Sequence, residues 1–118
     1  MDLMKRIFEI VHHGAVDGVT GSCHQLFFGS GEGDTRDSIL IDCGLFQGAE
    51  LATDRSEQDQ LKIDFSVENI KALVVTHVHV DHVGRIPYLL AAGFRGLIYC
   101  SRPSAELLLL VLEDALKI

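Results

Sequence analysis

The sequence has no tryptophan, only two prolines and only three cysteines among its 118 residues. Cys23, Cys43 and Cys100 are widely spaced and form no C-x-x-C pair, which argues against a disulfide framework or a zinc knuckle. We therefore expect reduced, mostly buried thiols and a cytoplasmic protein. The longest apolar run, residues 107–112, is far shorter than the roughly 20 residues that span a bilayer, so we expect no membrane segment.

Basic residues are also scarce, since ten Lys and Arg stand against 17 Asp and Glu and the formal net charge is −7. This balance argues against a module that binds nucleic acid by covering phosphates with positive charge. It leaves a metal site open, because a bound cation reverses the local field. The hydrophobic fraction of 47% and the charged fraction of 23% are typical of a globular chain, here with the length of one small domain.

Strand patterns come first along the chain and strand–helix alternation follows, which predicts an α/β fold. Glycine-rich connections are expected at 14–21 and 29–37, and a loop at 50–60. A helix with Pro87 in its first turn and Gly93 at its C-terminal end follows the fourth strand. The predicted strands are residues 6–12, 22–28, 38–42, 72–75 and 97–100.

The last predicted helix, opened by Ser101 and Pro103 and running to Ile118, is apolar on nearly every side. Such a helix has to be covered all round, and the other predicted elements are too few to cover it. We therefore expect residues 1–118 to be the N-terminal part of a longer, truncated domain. An isolated segment would expose this helix for self-association.

Three of the six histidines lie in residues 77–82, which read HVHVDH. His77 and His79 follow a buried strand, and residues two apart in extended chain point to the same side, so both imidazoles can reach one ion. Asp81 and His82 come where the chain turns toward a helix and can converge on a second point nearby. Imidazoles and carboxylates are ligands that zinc accepts at about 2.0–2.2 Å. The pattern predicts a metal site at the carboxyl edge of the sheet.

The alternative to a metal site is a polar loop that happens to be rich in histidine, and the alternation with Val78 and Val80 argues against it. The other histidines are weaker candidates. His12 and His13 are adjacent in a strand, so at most one can face the cleft, and His24 is expected to form a local hydrogen bond. We expect core packing for Cys43 and surface ion pairs for Arg85 and Arg102.

The segment HVHVDHVG at 77–84 resembles the H-x-H-x-D-H signature of the metallo-β-lactamase superfamily, an αββα sandwich of dinuclear metallohydrolases. ILIDCG at 39–44 is similar to that superfamily's first motif, a strand that ends in an aspartate, here Asp42. The chain also resembles the β-CASP branch, which contains RNA-processing nucleases. The similar segments are residues 14–15, 19–23, 42–48, 76–87 and 112–117. The fold class that the resemblance implies is α/β, as the N-terminal part of such a sandwich.

The resemblance implies that His77 and His79 bind one zinc ion. It implies that Asp81 and His82 serve a second, with Asp81 the catalytic carboxylate and Asp42 a supporting residue. The intact protein would then be a two-zinc hydrolase of RNA phosphodiesters. The family's later ligands and its β-CASP insert are not found in these 118 residues. We therefore expect the isolated segment to be inactive and to hold at most one ion.

Two other functions stay open at this point. A metallo-β-lactamase-fold hydrolase of thioesters or lactones uses the same histidine signature, although the motifs at 19–22 and 42–48 favour the nuclease branch. A non-catalytic metal-binding or interaction fragment fits the negative charge and the apolar last helix.

Overall fold

The structure of the chain is a computed structural model that describes residues 8–15, 20–29, 31, 35–46 and 61–116. The loop expected at 50–60 and part of each glycine-rich connection lie outside the described residues. The described strands and helices are, in chain order, β1 (Phe8–Gly14), β2 (Cys23–Phe28), β3 (Asp37–Ile41), β4 (Ile70–Val74), α1 (Val80–Val83), α2 (Ile86–Ala91), β5 (Leu97–Tyr99) and α3 (Arg102–Leu116).

The five strands form one mixed sheet in the order β1-β2-β3-β4-β5. The first three strands are antiparallel to one another, whereas β3, β4 and β5 run parallel. Because β3 and β4 are parallel neighbours, the segments that follow them begin at the same edge of the sheet. Strands first and strand–helix alternation second confirm the predicted α/β fold class.

The strand ends differ slightly from those predicted, for local reasons. β1 continues to Gly14, because the pairing with β2 shifts register after His12 and brings Gly14 opposite Cys23. β3 ends at Ile41 rather than at Asp42, since Asp42 has a left-handed φ of 63° that no strand accommodates. Asp42 therefore lies just beyond the end of β3, while its amide still donates to the carbonyl of Val74 at 2.9 Å.

The core lies between the sheet and the helices that follow β4. Ile86 and Leu89 of α2 are fully buried, and so is Phe94 just after it, whereas Leu90 is 43% exposed. The fully buried strand residues facing these helices include Leu40 and Leu73. Burying a side chain of this size stabilises the folded state by roughly 1.5–3 kcal/mol relative to leaving it exposed.

The last helix, α3, is covered on only one side. Leu108 is buried at 8% exposure, whereas Leu107, Leu109 and Leu110 are 49%, 66% and 62% exposed. The described residues therefore leave one face of this helix exposed. The neighbouring edge strand β5 is also exposed along its length. None of the helices in the described ranges combines the length and apolar character needed to cross a bilayer.

Candidate metal centre

The segment with the HVHVDH pattern is held at the carboxyl edge of the sheet by backbone hydrogen bonds. The carbonyl of His79 accepts from the amides of His82 at 2.8 Å and Val83 at 3.1 Å, which closes the single turn of α1. The amide of Cys43 donates to the carbonyl of His82 at 2.8 Å, and that of Ser22 to the carbonyl of Asp81 at 3.1 Å. α1, which was not among the predicted elements, is therefore held by the residue that precedes β2 and by the segment that follows β3.

Gly44 is essential to this arrangement because it packs directly against the backbone of α1. A Cβ atom at Gly44 would overlap the carbonyl group of Asp81 and crowd the amide of His82. Only a residue without a side chain allows the two segments to approach this closely.

Asp42 links the end of β3 to the end of β4 and to α1. Its carboxylate is 2% exposed, and Oδ1 accepts from the amide of Thr76 at 2.8 Å. Oδ2 accepts from the Thr76 hydroxyl and from Nδ1 of His82, the latter at 2.8 Å. An aspartate is one of the few residue types that tolerates the left-handed backbone required here.

The contact with Asp42 defines the orientation of the His82 ring. Since a carboxylate only accepts, Nδ1 of His82 carries a proton, and in the neutral ring Nε2 then keeps a free lone pair. Nε2 lies 3.5 Å from Oδ2 of Asp81, so imidazole and carboxylate face each other. A carboxylate that holds one nitrogen of an imidazole so that the other can bind a cation is the usual support of a metal-ligating histidine.

His77 and His79 lie beside this pair and are both exposed. The ring centroids of His77 and His82 are 4.7 Å apart, and those of His77 and His79 are 6.2 Å apart. Nδ1 of His77 lies 3.1 Å from the hydroxyl of Thr76. Val78 points toward the core, in agreement with the expected alternation.

The structure thus brings His77, His79, Asp81 and His82 to one edge of the sheet. Within the described part of the chain, however, no three His, Cys, Asp or Glu side chains are arranged around a common point that could hold an ion. The residue types match the ligands that zinc accepts, and the Asp42–His82 contact leaves Nε2 of His82 free to bind a cation. In donor chemistry the residues therefore fit a metal site, while their side chains are not closed around one.

Arg85, expected in a surface ion pair, is buried at 3% exposure, and that expectation is wrong. Its Nε donates to the carbonyl of Gly44, and its guanidinium lies 5.0 Å from the ring centroid of Phe46. Its Nη2 is buried with no hydrogen-bond partner among the described residues. Arg85 thus supports the close approach of α1 to the segment after β3. The sequence carried no sign of this, because the partner is a backbone carbonyl 41 residues away.

The thiols of Cys23 and Cys43 are fully buried beneath the same edge, which confirms the core role expected for Cys43. A hydrogen bond with Cys43, together with burial, raises the pKa of Cys23. The Cys23 thiol therefore stays protonated and acts as a donor in the core.

The remaining histidines lie on β1 and β2. Nε2 of His13 contacts Oε1 of Gln25 at 2.7 Å, and its ring stacks on Phe65 with centroids 3.8 Å apart. Nε2 of His24 lies 3.3 Å from the hydroxyl of Ser22, the local hydrogen bond expected for it. His24 also meets His12, a contact that sequence reasoning missed because it depends on strand register.

Comparison with known families agrees with this architecture. The model of the metallo-beta-lactamase superfamily matches residues 21–115. The chain belongs to this superfamily, and membership implies a metal-binding protein.

Three relatives show which branch is involved. The chain is 41% identical to ribonuclease TTHA0252 of Thermus thermophilus over 93% of its own length and 23% of the relative. It is 41% identical to transcription termination factor FttA of Methanocaldococcus jannaschii over 72% of the chain and 13% of the relative. It is 35% identical to cleavage and polyadenylation specificity factor subunit 3-II of Arabidopsis thaliana over 64% of the chain and 13% of the relative. The resemblance to the β-CASP branch is confirmed, and the chain spans less than a quarter of these relatives.

Proposed function

We propose that the complete protein is a metal-dependent ribonuclease of the β-CASP type that hydrolyses RNA phosphodiester bonds. Family membership and the ribonuclease, termination-factor and cleavage-factor relatives support this proposal. The observation that carries it is the 2.8 Å contact between Asp42 and Nδ1 of His82 beside His77 and His79, which orients an imidazole for a cation.

In this proposal the metal is zinc, with two ions in the complete protein. His77 and His79 hold one ion, and Asp81 and His82 contribute to the second. When bound, zinc supplies positive charge that stabilises the phosphate in the transition state and makes a water molecule more acidic. Asp81 is the catalytic carboxylate of the described residues, and its side chain faces Nε2 of His82 at 3.5 Å.

Asp42 acts in this proposal as a positioning residue. Its carboxylate keeps the proton on Nδ1 of His82 and holds the backbone of Thr76, from which His77 follows directly. Because Asp42 is buried, it does not touch RNA and its effect passes through these two neighbours.

We also propose that residues 1–118 form the N-terminal part of a larger metallo-β-lactamase-like domain, whose remaining part covers the outer face of α3. The exposed leucines at 107, 109 and 110 support this arrangement. Self-association through α3 is the competing use of that face. The free thiols of Cys23, Cys43 and Cys100 support a reducing, cytoplasmic location.

The proposed function is tested with the complete protein, end-labelled RNA and a panel of thioesters and lactones. We expect RNA cleavage that is lost in the His77→Ala/His79→Ala double variant and retained in the control His13→Gln, whose ring binds Gln25 and Phe65 instead. Elemental analysis should find two zinc ions per chain in the unmodified complete protein and fewer than two in the same double variant. Thioester hydrolysis without RNA cleavage would overturn the proposal in favour of the small-molecule hydrolases.

A further inference from the structure

A second pair of histidines lies outside the edge that carries the HVHVDH segment. His12 of β1 and His24 of β2 are direct partners in the antiparallel register. Their Nδ1 atoms are 2.7 Å apart, with ring centroids 4.9 Å apart and ring planes at 81°. Two imidazole nitrogens therefore face each other at hydrogen-bond distance, held there by the pairing of the strands.

The protonation of this pair follows from its contacts. A distance of 2.7 Å between two ring nitrogens requires that one donates and the other offers a lone pair. Nε2 of His24 faces the hydroxyl of Ser22 at 3.3 Å, so a proton on Nε2 leaves the lone pair of its Nδ1 pointing at His12. Burial lowers the pKa of His24, and His12 lowers it further, in keeping with a neutral imidazole.

We propose that His12 and His24 form a two-histidine binding site for a divalent transition-metal ion, separate from the HVHVDH segment. Two nitrogens bound to one tetrahedral ion at about 2.0–2.1 Å stand roughly 3.3 Å apart. The observed 2.7 Å between the Nδ1 atoms needs only a small opening of the rings, and the exposed His12 is free to make it. Binding requires the His12 ring to carry its proton on Nε2 instead of Nδ1, a tautomer change that exchange with solvent allows, so both rings stay neutral. Water molecules complete the coordination.

The chemistry of the site indicates which ion it prefers. With only two protein ligands, both imidazoles, affinity follows the general order of divalent ions, in which Cu²⁺ binds more tightly than Ni²⁺ or Zn²⁺. Ser22 orients His24 as a hydrogen-bond partner of its second nitrogen. Ser22 also lies 3.4 Å from Oδ2 of Asp42, so the pair adjoins the proposed catalytic edge without sharing a ligand with it.

The test is Cu²⁺ binding to the metal-stripped complete protein by calorimetry, in a His77→Ala/His79→Ala background that weakens the other site. We expect His12→Ala and His24→Asn each to weaken Cu²⁺ binding by about tenfold or more. Loss of a residue that only hydrogen-bonds a metal ligand already costs about tenfold, and loss of the ligand itself should cost at least as much. His13→Gln is the matched control, because His13 lies on the same strand but contacts Gln25 and Phe65. Pulsed electron paramagnetic resonance should detect two imidazole nitrogens on the copper.

Unchanged Cu²⁺ affinity in His12→Ala, or an equal loss in His13→Gln, would overturn the proposal. If His24→Asn fails to fold, His12→Ala decides the question alone, since the His12 side chain is exposed and its removal leaves the core intact. The outcome is independent of RNA cleavage, so this site can fail while the ribonuclease proposal stands.

Discussion

At the scale of single residues, the side chain of Asp42 connects segments that are far apart in sequence. Thr76 and His82 lie 34 and 40 positions further along the chain. The resemblance implied a supporting role for Asp42, but its partners could not be predicted, because they depend on how β3 and β4 pair. The left-handed backbone of Asp42 was equally hidden, since nothing in ILIDCG distinguishes a strand end from a turn.

Replacement Asp42→Asn tests the positioning role with little change of backbone, because asparagine also accepts a left-handed φ. Its single carbonyl oxygen cannot accept all the bonds that the two carboxylate oxygens accept, and its amide group would face a donor of Thr76 or of His82. We expect zinc affinity of the complete protein to fall about 10–100-fold. Competition with a chromophoric chelator measures this change. Thr76→Ser keeps the hydroxyl and should bind zinc normally, and normal binding by Asp42→Asn would contradict the assigned role.

The histidines also show that contacts between residues close in sequence can be predicted, whereas contacts between separate strands cannot. The spacing within HVHVDH indicated a site because neighbours in the chain are neighbours in space. The His12–His24 contact joins two strands, and a register one residue different would have separated the rings. Arg85 was misjudged because its burial depends on Phe46 and Gly44, which approach it only in the folded chain.

At the scale of secondary-structure elements, α3 shows the limit of hydrophobic pattern. Ser101 and Pro103 correctly predicted where the helix begins, since α3 starts at Arg102. A run of consecutive leucines carries no period, so it could not show which face packs on the sheet. The structure selects Leu108 for the core and leaves Leu109 at the surface of the chain.

The contrast between Leu108 and Leu109 can be measured by urea unfolding of the 118-residue chain. We expect Leu108→Ala to lower the free energy of unfolding by about 2–5 kcal/mol, because it removes buried methyl groups and leaves a cavity. Leu109→Ala, with identical chemistry on the exposed side, should change it by no more than about 0.5 kcal/mol. Equal losses in the two variants would mean that α3 packs with a different face.

At the scale of the whole molecule, the order of element types was enough to predict an α/β fold, and the sheet confirms it. The sequential strand order and the mixed pairing were not predicted, because they are set by contacts among distant segments. The negative charge correctly left a metal site open, and the family match supports one. The predicted ligands lie at the edge where parallel strands end, which is where polar segments can leave a sheet without disrupting its core.

Metal should stabilise the complete protein as a whole, because an ion that binds only the folded state shifts the unfolding equilibrium by mass action. At a free zinc concentration 100 times the dissociation constant, the expected gain is about 2.7 kcal/mol. Thermal unfolding of stripped protein with and without zinc measures it. The His77→Ala/His79→Ala variant should lose most of the rise in Tm, whereas His13→Gln should keep it. An equal rise in the double variant would place the stabilising zinc elsewhere.

The contact between Gly44 and α1 also bears on how this chain can diverge. The backbone of one segment fills the space that a side chain at position 44 would need. A methyl group there would displace the backbone of Asp81 and His82. A substitution in the segment at 39–44 would therefore change the geometry of the HVHVDH segment. Sequence changes in these two segments are therefore coupled. In a library of the complete protein randomised at position 44, we expect active clones to encode only glycine.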